Sequence, residues 1–183
     1  DLQDIDNRTP DNPNNFNRWD LDFLVDYIVR IHHKYVVEAS PFLDELSIKV
    51  SRVHGENHPE LSQIEKHTQA VIHELTLHMH KEEKVLFPYI KQMVEAKRTN
   101  TDLTPPFFGT IANPIRMMED EHVSAGGGME AIEELSDGFT PPADACMSYQ
   151  VLFAKLREFQ QDLHQHIHLE NNILFPKAIK LEA

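Results

Sequence analysis

The sequence predicts an all-α fold, an antiparallel up-down four-helix bundle. Four stretches carry apolar residues at helical spacing, and segments rich in Pro, Gly, Asn and Asp separate them. A third sign is internal repetition. His78-Met-His80-Lys-Glu82-Glu83-Lys-Val-Leu-Phe-Pro88 returns 88 positions later as His166-Ile-His168-Leu-Glu170-Asn-Asn-Ile-Leu-Phe-Pro176, with six of eleven positions identical. Inward stripes joined by modest loops suit a bundle.

Residues 1–16 hold Asn-Pro and Asp-Asn pairs without an apolar period and read as a flexible N-terminal segment, leaving 17–183 as one domain. The first stripe runs through Leu21, Val25, Ile28, His32, Tyr35, Ala39, Phe42, Leu46 and Val53, with Asn17 or Asp20 as N-cap and a kink expected at Pro41. Gly55 to Pro59 is a turn. The second stripe is Leu61, Ile64, Thr68, Val71, Leu75, His78, Glu82 and Val85. Residues 99–110, with Pro105-Pro106, form the longest irregular connection. The third stripe, Ile111, Ile115, Met118, His122, Ala125, Met129 and Ile132, is broken by Ser136-Asp-Gly and Pro141-Pro142. The fourth runs Leu152, Leu156, Phe159, Leu163, His166, Glu170 and Ile173.

Helix lengths give a test of depth. His32 lies 21 residues before Val53 and His78 lies 19 after Pro59, about 32 and 29 Å at helical rise, so the two imidazoles meet at one level. The other pair fits less well, since His122 is 14 residues from Ser136 and His166 is 23 from Ala143. A fourth helix that starts after Ala143, or that overshoots its partner, would account for the mismatch.

A net charge of −13 leaves nothing to neutralise phosphates and argues against nucleic acid as a partner. Cys146 is the single cysteine, which excludes an internal disulfide, a Cys-x-x-Cys redox pair and an iron–sulfur ligand set from this chain alone. That cysteine usage fits a reducing cytoplasm. No run of about eighteen apolar residues offers a membrane span, and the N-terminus lacks signal-peptide character. The chain starts at Asp1 without Met, which suggests a longer parent.

Residues four apart share a helix face, so each repeat presents an imidazole beside a carboxylate. A neutral nitrogen next to an anionic oxygen suits a transition metal. One His-x-x-x-Glu in a chain with twelve histidines is expected by chance; two in matching frames, each before Leu-Phe-Pro, are not. His80 and His168, two positions on, point nearly the opposite way. His32 precedes His78 by 46 residues and His122 precedes His166 by 44, so each half of the chain adds one further inward histidine. The candidate ligands are His32, His78, Glu82, His122, His166 and Glu170. Four histidines and two carboxylates crowd one ion and suit two, each receiving two nitrogens and two oxygens if both carboxylates bridge. An oxo or hydroxo bridge would make a fifth ligand. Such six-coordinate nitrogen–oxygen sites suit iron or manganese better than zinc, with zinc a possible substitute. Glu119 and Glu121 stand near His122 and could orient it, while His54 and His73 are candidates for outer or access roles and Cys146 reads as inert. Gly126-Gly127-Gly128 follow His122 by one turn and read either as close helix–helix packing or, at Gly126, four residues after His122, as a position that faces the metals and leaves a coordination site open.

These residues resemble the hemerythrin-like superfamily and, more narrowly, the di-iron proteins that repair iron–sulfur clusters. The likeness covers roughly 20–181 and rests on His78-x-x-x-Glu82-Glu83-x-x-Leu-Phe-Pro, on Glu119-Asp-Glu-His122 followed by Ala-Gly, and on His166-x-x-x-Glu170-Asn-Asn-x-Leu-Phe-Pro. The resemblance implies a di-iron centre on the six candidates, with Glu82 and Glu170 bridging. It also implies a role in nitrosative or oxidative stress that protects or repairs iron–sulfur clusters, by iron donation, by nitric oxide binding and reduction, or both. Its partners would be nitric oxide or dioxygen and damaged iron–sulfur proteins. The alternative is a non-enzymatic sensor or store for dioxygen, nitric oxide or iron. Two departures matter. Oxygen-carrying hemerythrins have a further histidine where this chain has Gly126, and the cysteine-pair module many repair proteins carry at the N-terminus is not in this sequence.

Overall fold

The computed structural model describes residues 15–183, so the expected N-terminal segment lies outside the described residues except for its last two positions. After a single 3-10 turn at Phe16–Arg18, four long helices follow. Helix α1 (21–54) joins Leu21–Ile28, a π turn at Val29–His33 and Lys34–His54; α2 (61–99) joins Leu61–Lys81, a π turn at Glu82–Leu86 and Phe87–Thr99. Helix α3 is Ala112–Leu135 without interruption. Helix α4 (147–182) joins Met147–Leu169, a π turn at Glu170–Leu174 and Phe175–Glu182.

Two apolar clusters fix the direction of each helix. Helix α1 places Leu24 and Ile28 in one cluster and Val36, Leu43 and Val50 in the other; α2 runs the opposite way, from Leu61 and Leu75 to Ile90 and Met93. Helix α3 repeats the sense of α1, from Ile115 and Met118 to Met129 and Ile132, and α4 repeats that of α2, from Leu152 and Phe159 to Leu174 and Phe175. The bundle is therefore up-down-up-down. Between the two clusters each helix carries a polar layer, at His32-His33, at His78 and Glu82, at His122, and at His166 and Glu170, all 3% exposed or less.

Apolar periodicity explains the stripes of α2, α3 and α4, which bury the expected residues apart from Val85. On α1 the expected stripe holds at Leu46 but otherwise only as far as His32. Beyond it Tyr35 and Ala39 are half-buried and Phe42 and Val53 exposed, while Val36, Ser40, Leu43, Ser47 and Val50 face the core. A π turn inserts one residue and so advances the buried face by one position. The irregularity sits there and not at Pro41, which lies inside the continuous Lys34–His54 segment.

Helix α4 starts at Met147, later than Ala143 as the depth argument asks. Residues 136–146 fill what remains: Phe139 turns back into the core at positive φ, 4% exposed, held by its N–H donating to Ser136 Oγ at 3.0 Å. The Arg157 guanidinium donates to the Gly138 carbonyl at 2.7 Å.

Three successive glycines in α3 cost roughly 1 kcal/mol each against alanine. Only Gly128 has a packing reason: a Cβ there would fall 2.5 Å from Val71 Cγ2 on α2, whereas one at Gly126 or Gly127 would meet nothing within 4 Å. Gly128→Ala should therefore destabilise the fold by about 1–3 kcal/mol through overpacking, and Gly127→Ala should stabilise it by up to about 1 kcal/mol. Urea unfolding of the pair measures this, and equal stability of the two variants would contradict the close approach.

Candidate metal centre

The polar layer assembles because His-x-x-x-Glu puts both side chains of a pair on one helical face, and antiparallel packing brings the pairs of α2 and α4 together. Two overlapping donor groups result. One is His33, Glu82, His166 and Glu170; the other is His78, Glu82, His122 and Glu170; within each, the donor atoms lie no more than 4.8 Å apart. Glu82 and Glu170 belong to both.

Each inner imidazole turns Nε2 toward a carboxylate. His33 and His78 both approach Glu82 Oε2 at 3.3 Å. His122 meets Glu170 Oε2 at 3.0 Å and His166 meets Glu170 Oε1 at 3.2 Å, so the two oxygens of one carboxylate address different groups. The His78 and His122 Nε2 atoms stand 3.0 Å apart.

On the outer side Nδ1 is held in three of the four. His33 Nδ1 meets Glu83 Oε1 at 2.8 Å, His78 Nδ1 meets Glu121 Oε2 at 2.9 Å, and His122 Nδ1 meets Asn171 Oδ1 at 2.8 Å. Lys81 pairs with the other oxygen of Glu121. A proton held at Nδ1 by these acceptors leaves Nε2 with its lone pair directed inward, as a ligating histidine requires.

The layer fits a cation. Both oxygens of Glu82 and of Glu170, His33 Nε2 and both nitrogens of His166 are buried without a hydrogen-bond partner. Such groups are costly to bury and are paired or bound to metal in folded proteins. The electrostatics agree. Burial alone would push the His78 imidazole down, but Glu82, Glu170 and Glu121 outweigh it and raise its pKa to about 9. Burial likewise opposes a proton on His33, and the carboxylates of Glu82, Glu170 and Glu83 again prevail. Burial would raise Glu170, yet His166 and His122 hold it well below the usual carboxylate range. Anionic carboxylates among imidazoles drawn toward protonation mark a place for positive charge.

Of the six residues expected from sequence, His78, Glu82, His122, His166 and Glu170 come together. His32 does not join either group; its neighbour His33 does. The π turn is the reason. His32 lies four residues after Ile28, in phase with the first part of α1, whereas His33 is in phase with Val36, Ser40 and Leu43 in the second. His32 is nonetheless buried, its ring stacked on His166 at 5.7 Å, its Nδ1 on Asp162 Oδ1 at 2.9 Å. Glu121 orients His78 and not His122, and Glu119 is exposed. The outer partners Glu83 and Asn171, each directly following a repeated Glu, were not singled out from sequence. The other candidates sit away from the layer: His54 Nε2 lies 3.0 Å from Cys146 Sγ near the far end of the bundle, and His73 and His80 are exposed, as the spacing requires of the latter. His168 is exposed as well.

A cleft of about 140 Å³ reaches His78 between α2 and α3, lined by Glu74, Leu75, Leu77, Lys81, Glu121, Ser124 and Ala125. Gly126 is not among its lining residues.

Residues 24–178 match the model of the hemerythrin HHE cation binding domain. The chain belongs to the hemerythrin family. Among its relatives, the iron-sulfur cluster repair protein YtfE of Musicola paradisiaca (strain Ech703) is 36% identical over 95% of this chain and 72% of its own length. YtfE of Yersinia pseudotuberculosis serotype IB is 36% identical over 87% of this chain and 66% of its own. A probable iron-sulfur cluster repair protein of Haemophilus influenzae is 37% identical over 85% and 64%. The chain thus spans about two thirds of the length of these relatives. Among the described residues no helix is long and apolar enough to cross a membrane.

Proposed function

We propose that this hemerythrin domain is a di-iron protein of the nitrosative and oxidative stress response that protects or repairs damaged iron–sulfur clusters. One observation carries the reading: two buried donor groups of two imidazoles each share the carboxylates of Glu82 and Glu170. His33 and His166 would hold one iron and His78 and His122 the other, with manganese or zinc as substitutes. Nitrogen–oxygen donors bridged by carboxylate suit iron or manganese better than zinc. A bound ferrous pair would supply electrons and exchangeable iron.

The chain's own residues do the rest. Glu83, Glu121 and Asn171 keep protons on Nδ1 so that Nε2 stays free to bind. The apolar clusters on either side exclude water from the layer. The cleft beside His78 admits a molecule the size of nitric oxide or dioxygen, and Lys81 and Glu121 stand on its wall. Damaged iron–sulfur proteins are the partners in this reading, because the relatives are named for repair. A cytoplasmic setting belongs to it as well, since labile ferrous iron needs a reducing compartment.

Incubating iron-loaded protein with an iron–sulfur enzyme inactivated by nitric oxide tests the proposal. Reactivation is expected with wild type and not with Glu82→Ala; equal recovery without added protein would refute a repair role. The cleft also favours a second reading, a binding protein for nitric oxide or dioxygen without turnover. Nitric oxide added to the reduced protein separates reduction from binding, because nitrous oxide is released only if the centre reduces it, and the reactivation assay separates binding from repair.

A further inference from the structure

We propose that His32 is a reserve ligand, exchanged for His33 when the π turn of α1 migrates by one step. The inference rests on the two-metal reading and adds a second register to one of its sites.

Two adjacent residues on a regular helix point about 100° apart and do not both face one narrow layer. Here both are buried, His32 at 3% and His33 at 2% exposure, and both flank His166, with ring centroids 5.7 and 5.0 Å from it. His32 is also made like the residues that form the donor groups. Its Nδ1 rests on a carboxylate, Asp162, as His33 rests on Glu83 and His78 on Glu121. Its Nε2 is buried and has no hydrogen-bond partner, and neither has the second oxygen of Asp162. The orphaned nitrogen is a cost, and a metal would remove it.

The π turn supplies the means. It inserts one residue into α1, and the residue that occupies a given place on the inward face depends on which side of that place the insertion lies. With the insertion at Val29–His33, the place beside Glu82 and His166 belongs to His33. With the insertion moved past it, the same place belongs to His32, which continues the phase of Leu24 and Ile28. The buried segments on either side keep their packing, because only the turn rotates. Arg30, Ile31 and Lys34, which would turn with it, are exposed.

Metal content per folded chain tests this after anaerobic loading with ferrous iron. His33→Ala and His32→Ala should each retain both irons, while the double substitution should lose one. His78→Ala, which has no such neighbour, should lose one by itself. Counting hyperfine-shifted imidazole N–H resonances of the cobalt-substituted protein checks that His32 and not water replaces the missing ligand: His33→Ala should show as many as wild type. Deleting Ile31 removes the inserted residue, so His33→Ala in that background should lose one metal. An iron loss from His33→Ala equal to that of the double variant, or one resonance fewer, would overturn the exchange. Full retention by the double variant would overturn it too. Wild type holding a single metal would instead overturn the two-metal reading beneath it.

Discussion

Replacing Glu82 or Glu170 by alanine is expected to strip both metals, whereas His78→Ala or His166→Ala is expected to strip one. The difference follows from membership. Each carboxylate belongs to both donor groups, and each of these histidines to one. Loss of a carboxylate also leaves opposed imidazoles without their anion: Glu170 faces His122 and His166, Glu82 faces His33 and His78. Removing one partner from a buried charged arrangement costs about 3–5 kcal/mol, so the glutamate variants should also fold less stably. His80→Ala and His168→Ala, exposed two positions further on, should retain wild-type metal content. Metal analysis of the purified set measures this, and equal losses from His80→Ala and His78→Ala would mean that the helical register is wrong.

Chelation should lower the melting temperature by an amount that grows with pH. Without a cation, buried groups that lack partners cost a few kcal/mol each, and each kcal/mol moves the midpoint of a domain this size by about 2–4 °C. A drop of order 10 °C is the expectation. The pH dependence comes from the imidazoles that would carry protons in the metal's place. The His78 pKa rises from 6.5 to about 9 in the metal-free fold. Its protonation therefore supports that fold fully below pH 6.5, and the support disappears as pH rises through about 9. Metal binding runs the other way, since protons compete for the ligands and are released on loading. The gap between loaded and chelated protein should widen from pH 6.5 to pH 9, as read by calorimetry at several pH values. An unchanged midpoint after verified metal loss would contradict a buried site.

Much of this arrangement was legible in the chain itself. The repeated His-x-x-x-Glu before Leu-Phe-Pro encodes four of the residues that gather in the polar layer, because i and i+4 fix a shared face whatever the surrounding helix does, and the apolar stripe of α3 adds His122. Four stripes and their breakers encode the bundle. His33 was hidden because a π turn leaves no signature in apolar spacing: Tyr35, Ala39 and Phe42 continue one stripe as plausibly as Val36, Ser40 and Leu43 begin another. Two adjacent histidines gave the ambiguity without resolving it. Asp162 was hidden, and Glu121 was matched to His122 and not to His78, for a different reason: their partners lie on other helices and depend on relative rotation. Glu83 and Asn171 carried a signal that could have been read, since each follows the repeated Glu in one copy of the segment.

In the proposed function, one layer of this bundle holds two metals that share their carboxylates. Iron analysis of anaerobically loaded protein combined with Mössbauer spectroscopy tests it most directly. Two irons per chain are expected, magnetically coupled once oxidised, because Glu82 and Glu170 reach both donor groups. One firmly bound iron in fully loaded protein, or two irons without coupling, would contradict it.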